Sequence, residues 1–99
     1  DCWNYARHNA VQNWADDNET EFLDLNLMCD ELGIDWSKDT RDGGNHLNYY
    51  GAVKVSSYLG SYMADKYALT DHRNDEYYSH WNESYNKYNE IVNKNISMK

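Results

Sequence analysis

Only one stretch of this chain carries the two-residue alternation of a β-strand, and a single strand cannot satisfy its own backbone. In Glu21-Phe22-Leu23-Asp24-Leu25-Asn26, Phe22, Leu23 and Leu25 are expected to meet apolar neighbours while the acidic and amide residues stay wet. A lone strand leaves donors and acceptors unpaired along both edges. Two solutions follow: the strand adds to a sheet contributed by another polypeptide or a second copy, or the chain is a small helical bundle. The first solution makes self-association through the unpaired strand an expectation.

Elsewhere the periodicity is helical. Trp3, Ala6, Ala10 and Trp14 fall at three- and four-residue steps, which predicts an amphipathic helix, and Asp16-Asp17-Asn18 breaks it. Leu27 to Leu32 reads as a short helix ended by Gly33, since glycine tolerates the left-handed C-cap position. Asn48 suits the N-cap of a helix carrying Ala52, Val55, Leu59 and Tyr62 or Met63 on one face and running to about Tyr67. After the polar junction 70–74, the recurrence of Tyr77 or Tyr78, Trp81, Tyr85, Tyr88 and Val92 predicts a Tyr-rich helix over about 75–92. The patternless tail from Asn93 to Lys99 is expected to fray. No internal repeat or linker divides the chain, so residues 1–99 are expected to form a single domain or part of one.

Size and charge exclude several functions. A chain of 99 residues buries only about two-thirds of its unfolded surface, which leaves no room for a large self-contained catalytic fold. Ten Tyr and four Trp against one Phe and no Pro favour half-wet aromatic surfaces. A formal charge of -8 disfavours nucleic acid and anionic membranes, both of which need clustered Lys and Arg. No apolar run approaches the ~20 residues of a membrane span, and no signal peptide is visible. The chain begins at Asp1 rather than Met and reads as part of a longer precursor. Cys2 and Cys29 could form at most one disulfide, belong to no CxxC pair and leave their redox state and the compartment undecided. No cofactor motif is present.

The residues that carry chemistry lie between Asp35 and Asn48. Acidic side chains, Gly43 and Gly44, and His46 converge there just ahead of the predicted helix. A histidine on a loop can turn its ring toward a nucleophile, and a nearby carboxylate can accept the other ring N–H, fixing the tautomer and stabilising the imidazolium. Spacing alone also fits an ordinary turn in front of a capped helix, with His46 a polar surface residue.

The longer string Asp42-Gly-Gly-Asn-His46-Leu-Asn48-Tyr-Tyr-Gly51-Ala-Val-Lys54-Val, followed by Tyr58-Leu59-Gly60, resembles the C-terminal Asp/His block of SGNH (GDSL-type) hydrolases. It looks closest to a bacterial branch in which a tyrosine-rich stretch follows, similar here to the run from Tyr67 through Asp71, Arg73 and Asp75 to Trp81. The helix from Trp3 and the segment Phe22 to Asn26 are similar to the helix and strand ahead of that block, so the resemblance spans roughly Trp3 to Tyr88. The string around His46 is its specific part.

The resemblance implies an α/β fold: the C-terminal helix-strand-helix portion of an α/β/α sandwich with a parallel sheet, mostly helical within this chain. It further implies serine esterase or acyl-transfer chemistry, with His46 as general base, Asp42 as its acidic partner and Asp39 as the second choice. The family usually places its aspartate three residues before the histidine, and here that position is Gly43. The family's Gly-Asp-Ser nucleophile block and its oxyanion-hole Gly and Asn blocks do not occur, and no serine here has a nucleophile's context. The expected partners are therefore the missing N-terminal part of a catalytic domain and an ester or O-acetylated substrate, for example on a cell-surface polymer. An extracytoplasmic or cell-surface location would follow from the family. The isolated chain is expected to be inactive.

The remaining features have plain readings. His8, His72 and His80 lack helical metal-pair spacing and read as surface residues, and Asp16, Asp17 and Glu19 lack the EF-hand pattern. The Tyr77 to Tyr88 stripe could stack on a sugar, though its spacing is that of a packing face. Asn18, Asn82 and Asn95 head glycosylation sequons, which mean little if the source is bacterial. The rival function is a non-catalytic helical interaction module, with its aromatic faces as the binding surface.

Overall fold

The computed structural model describes residues 3–97. Among them are three α-helices, α1 (Tyr5–Asp17), α2 (Tyr49–Tyr67) and α3 (Ser79–Ser97), and two short 3-10 turns, Leu25–Met28 and Glu76–Tyr78. The expected α/β architecture is corrected: among the described residues there is no strand and no sheet, only an isolated antiparallel bridge between Thr40 and Leu47. The chain divides into two compact units, Asp1–Tyr62 and Met63–Lys99, where the sequence showed no linker. No helix is long and apolar enough to cross a membrane among the described residues.

In the first unit α1 begins because the Asn4 side chain accepts the Arg7 N–H at 3.0 Å, satisfying one of the orphan donors of the first turn. It ends through Asn18, whose carboxamide donates to the Trp14 carbonyl at 2.7 Å, and a left-handed Glu19 (φ 50) that turns the chain away. Of the stretch Glu21 to Asn26 expected as a strand, residues 21–24 carry no regular structure and pair in no ladder, with only Asp24 at extended angles (φ -91, ψ 95). Asp24 then caps the 3-10 turn, accepting the Asn26 N–H at 3.0 Å, so the apolar residues Leu25 and Leu27 leave the strand period at that point. The expected short helix from Leu27 to Leu32 is replaced by this turn and further turns ending at Gly33 (φ 64). The strand edge needed for self-association is not formed.

Cohesion comes from polar clasps. The residues buried among those described are Ala15, Asp24, Asp39 and Gly51, and no large apolar side chain is fully buried. Asp24 fastens the segment 21–24 to α1, accepting from Trp3 Nε1 at 2.8 Å and pairing with His8 Nδ1 at 2.7 Å. The Tyr62 hydroxyl of α2 donates to the Glu21 carboxylate and ties the same segment to the second helix. Cys29 carries a free thiol; Cys2 lies outside the described residues, so the disulfide question stays with it.

In the second unit Asp71 receives the Arg73 guanidinium and backbone N–H, which hold its carboxyl well below the usual carboxylate range. Asp75 caps the second 3-10 turn through the Tyr77 N–H at 3.0 Å. The helix expected over about 75–92 begins at Ser79 and continues to Ser97, past the point where fraying was expected. Glu83 with Lys87 and Glu90 with Lys94 stand four residues apart in the favourable acid-before-base order, which supports that last turn. Met98 and Lys99 lie outside the described residues.

Candidate functional site: the His46 and Asp42 loop

A rigid platform underlies the loop that carries His46. Asp39 is buried, and its Oδ2 accepts Lys54 Nζ at 2.6 Å and the Asp35 N–H at 2.8 Å. The Lys54 ammonium, then the Asp35 N–H, hold the Asp39 carboxyl below its ordinary value. Lys54 reaches across from α2 to the Gly33 carbonyl as well, at 2.6 Å, pinning the start of the loop segment to the helix. Asn48 joins both sides: its N–H donates to the Asp39 carbonyl at 2.9 Å, its carboxamide nitrogen to the Lys38 carbonyl at 2.5 Å, and its Oδ1 caps α2 through the Tyr50 and Gly51 N–H groups. Asp39 is thus a structural anchor with its charge committed to Lys54, and the structure does not bring it to His46 as the alternative acid.

On this platform the chain makes a short closed loop. The Arg41 N–H donates to the His46 carbonyl at 2.8 Å, and the Thr40–Leu47 bridge completes the base. Gly43 (φ 76) and Gly44 (φ 144) form the tip in backbone conformations that a side chain would strain. Thr40 stiffens the entry, its Oγ1 donating to the Trp36 carbonyl at 2.6 Å and accepting the Gly43 N–H at 3.1 Å.

Asp42 organises the loop interior. Its Oδ1 accepts the Asn45 and His46 N–H groups at 3.1 and 3.0 Å, and its Oδ2 lies 2.5 Å from His46 Nδ1. The His46 ring, followed by the His46 and Asn45 backbone N–H groups, pulls the Asp42 carboxyl down to about 2 against a small opposing effect of burial. Asp42 is therefore ionised at neutral pH and can only accept, which requires that Nδ1 carry the proton. In neutral His46 the lone pair then falls on Nε2, and Nε2 makes no hydrogen bond among the described residues. The side chain of His46 is 73% exposed and that of Asp42 39%. A base nitrogen held in one tautomer and open to an approaching hydroxyl is what general-base catalysis needs.

Among the described residues no serine is placed for that base to activate. Ser37 donates to Asp35 Oδ1 at 2.6 Å, Ser56, Ser57 and Ser61 lie within α2, and Ser79, Ser84 and Ser97 within α3. No serine hydroxyl meets a histidine among the described residues. Nor do three or more His, Cys, Asp or Glu side chains converge as a metal site there.

A second His–Asp pair escaped the sequence reading. His8, read as a surface residue, is half-buried against Asp24, whose side chain is 3% exposed, and its ring lies 5.5 Å from that of Phe22. Burial pushes the Asp24 carboxyl up, but hydrogen bonds from Asn26, His8 and Trp3 outweigh it and hold it below its ordinary value. Four donors meet the carboxylate, Trp3 Nε1, His8 Nδ1 and the N–H and carboxamide of Asn26, and this pair closes the fold. Its histidine also turns Nδ1 to the acid and leaves Nε2 without a hydrogen bond among the described residues, but its side chain is only 20% exposed against 73% for His46. No local signal could have found it, because sixteen residues separate the partners. His72 and Asp75 form a third, looser pair at 3.4 Å on the surface, with the Tyr78 ring 4.3 Å from the imidazole. The Tyr and Trp side chains of α3, including Trp81, Tyr85 and Tyr88, are exposed rather than packed. No family model, no curated protein and no solved structure matches this chain.

Proposed function

We propose that this chain supplies the histidine and acid of a serine esterase or acyltransferase, with His46 as general base and Asp42 as the group that orients it. The observation that carries the reading is the 2.5 Å contact between Asp42 Oδ2 and His46 Nδ1, which leaves Nε2 as the basic nitrogen. The reading rests on the loop and not on a sheet: it requires that a serine from outside these residues reach Nε2 and that an oxyanion hole come with it. In the acylation step the serine Oγ bonds to the ester carbonyl carbon while its proton moves to Nε2. As the C–O bond to the alcohol breaks, Nε2 returns that proton to the departing oxygen. Water, or an acceptor hydroxyl, then repeats the sequence in reverse on the acyl-serine.

The test uses the full product of the gene that encodes this chain, assayed on aryl esters. Hydrolysis is expected, falling about a thousandfold or more with His46→Ala and about a hundredfold or more with Asp42→Asn. Hydrolysis that survives His46→Ala would remove the reading. The exposed Trp81, Tyr85 and Tyr88 favour a second reading, a non-catalytic interaction module, which predicts that His46→Ala changes no activity while truncation of α3 abolishes partner binding.

A further inference from the structure

The loop that carries the dyad sets a second charged residue beside it. Two bonds flank the Thr40–Leu47 bridge, from the Asn48 N–H to the Asp39 carbonyl at 2.9 Å and from the Arg41 N–H to the His46 carbonyl at 2.8 Å. That register stands Arg41 directly opposite His46 on the other arm of the loop. Residues so placed lie about 5.5 Å apart at Cα and share one face of the ribbon. An arginine side chain spans that separation with length to spare.

Charge pairing then separates Arg41 from its neighbours. Acids outnumber bases 17 to 9 in the sequence, so a cation here has carboxylates to spare around it. Lys38 pairs with Asp35 at 2.9 Å, Lys54 with Asp39 at 2.6 Å, and Asp42 turns to the His46 ring at 2.5 Å. Every carboxylate of the segment 35–48 is thereby committed. The Arg41 side chain is exposed and makes no hydrogen bond, ion pair or ring contact among the described residues. Although the chain as a whole carries a formal charge of -8, the charge left over beside His46 is the positive one of Arg41. A guanidinium grips a carboxylate or phosphate through two parallel N–H···O bonds, with a directional fit that an ammonium lacks. A neutral ester gives those donors nothing ionic to hold.

Building on the reading of His46 as general base, we propose that Arg41 is the specificity-determining residue of that site: the ester substrate carries an oxyanion, a carboxylate or a phosphate, a few bonds from the scissile carbonyl, and the Arg41 guanidinium binds it. The register across the loop brings this anion to the side of the dyad where the basic nitrogen is exposed.

The full gene product is assayed near neutral pH on two matched pairs of esters. 4-Nitrophenyl hemiglutarate and 4-nitrophenyl valerate differ by a carboxylate against a methyl at the end of the acyl chain. Acetylglycerol 3-phosphate and glycerol monoacetate differ by a phosphate against a hydroxyl on the alcohol side. The anionic member of at least one pair is expected to be preferred by about tenfold or more in kcat/KM, chiefly through a lower KM, and the pair that shows it tells which side of the ester bears the anion. Raising the ionic strength from about 0.1 M to about 1 M should cut that ratio severalfold, because the Debye length shrinks from about 10 Å to about 3 Å. Arg41→Ala is expected to bring the ratio to about one, Arg41→Lys to keep part of it, and Arg41→Glu to invert it. Both esters of a pair are read on one preparation, so any loss of folded protein cancels from the ratio. No anionic preference in either pair, or a preference that survives Arg41→Ala, overturns the Arg41 assignment while His46-dependent hydrolysis still supports the dyad. A gene product without His46-dependent hydrolysis removes the dyad reading and the substrate assignment with it.

Discussion

Two glycines of α2 offer opposite outcomes for the same substitution. At Gly51 an added Cβ would overlap the Asp39 carbonyl oxygen and approach Leu47 Cδ2 to 2.9 Å and Asp39 Cβ to 3.1 Å. At Gly60 it would meet nothing within 4 Å. Alanine is favoured over glycine in a helix by about 1 kcal/mol, and at Gly60 that gain should appear almost undiminished. At Gly51 the same gain is opposed by forced displacement of a packed backbone, about 1–3 kcal/mol, and by disturbance of the 2.9 Å bond from the Asn48 N–H to the Asp39 carbonyl, about 1 kcal/mol. The net expectation is a loss of about 1–3 kcal/mol for Gly51→Ala and a gain of about 1 kcal/mol for Gly60→Ala. For a chain of this size each kcal/mol moves Tm by about 4–8 °C, so thermal melting followed at 222 nm should separate the two variants by about 8 °C or more. A rise in Tm for Gly51→Ala similar to that for Gly60→Ala would refute the close approach of α2 to the Asp39 carbonyl, and with it the platform on which the dyad loop stands.

Other expectations test the remaining clasps. Asp24→Asn should destabilise the first unit by about 1–3 kcal/mol in denaturant melts and change Trp3 emission, because a charged acceptor of four donors becomes a neutral amide; an effect below about 0.5 kcal/mol would contradict the clasp. Asp42 titrates about 2 against an ordinary 3.8, so its pairing adds stability that is fully present above about pH 4 and is lost as pH falls through about 2. Carboxyl carbon shifts should show that midpoint and its return toward 3.8 in His46→Ala, whereas a wild-type midpoint already at 3.8 would mean that the pair is not formed. The isolated chain should show no turnover of aryl esters above buffer, since a base without nucleophile or oxyanion hole has nothing to act on; turnover that vanishes with His46→Ala would contradict this.

The helices were legible where local signals and tertiary surroundings agree. Asn48 announced α2 through its capping chemistry, and the aromatic period announced α3, though Asn93 and Asn95 concealed its last turn by their low helix propensity. The strand was misread for a reason that lies outside any six-residue window. Alternation from Glu21 to Asn26 describes an extended chain equally well, and only a partner distinguishes a strand from a connector. Asp24 decides the matter by capping a turn and by holding Trp3 and His8, contacts that span sixteen residues or more. At the site, the nearness of Asp42 to His46 along the chain made their pairing visible. The commitment of Asp39 to Lys54 was not visible, because it depends on how α2 returns over the loop.

The acid and the base of the dyad lie four residues apart on a loop whose two ends are already joined at Thr40 and Leu47. Closing so short a loop takes little entropy beyond that of the turn itself and proceeds on about the timescale of tens of nanoseconds. Catalytic pairs drawn from distant elements lose their geometry when the body of the protein loosens, but this one is assembled by the eight residues from Thr40 to Leu47. It behaves as a portable cassette: any scaffold that holds Thr40 and Leu47 side by side inherits an oriented imidazole, and partial melting of α1 leaves that imidazole in place.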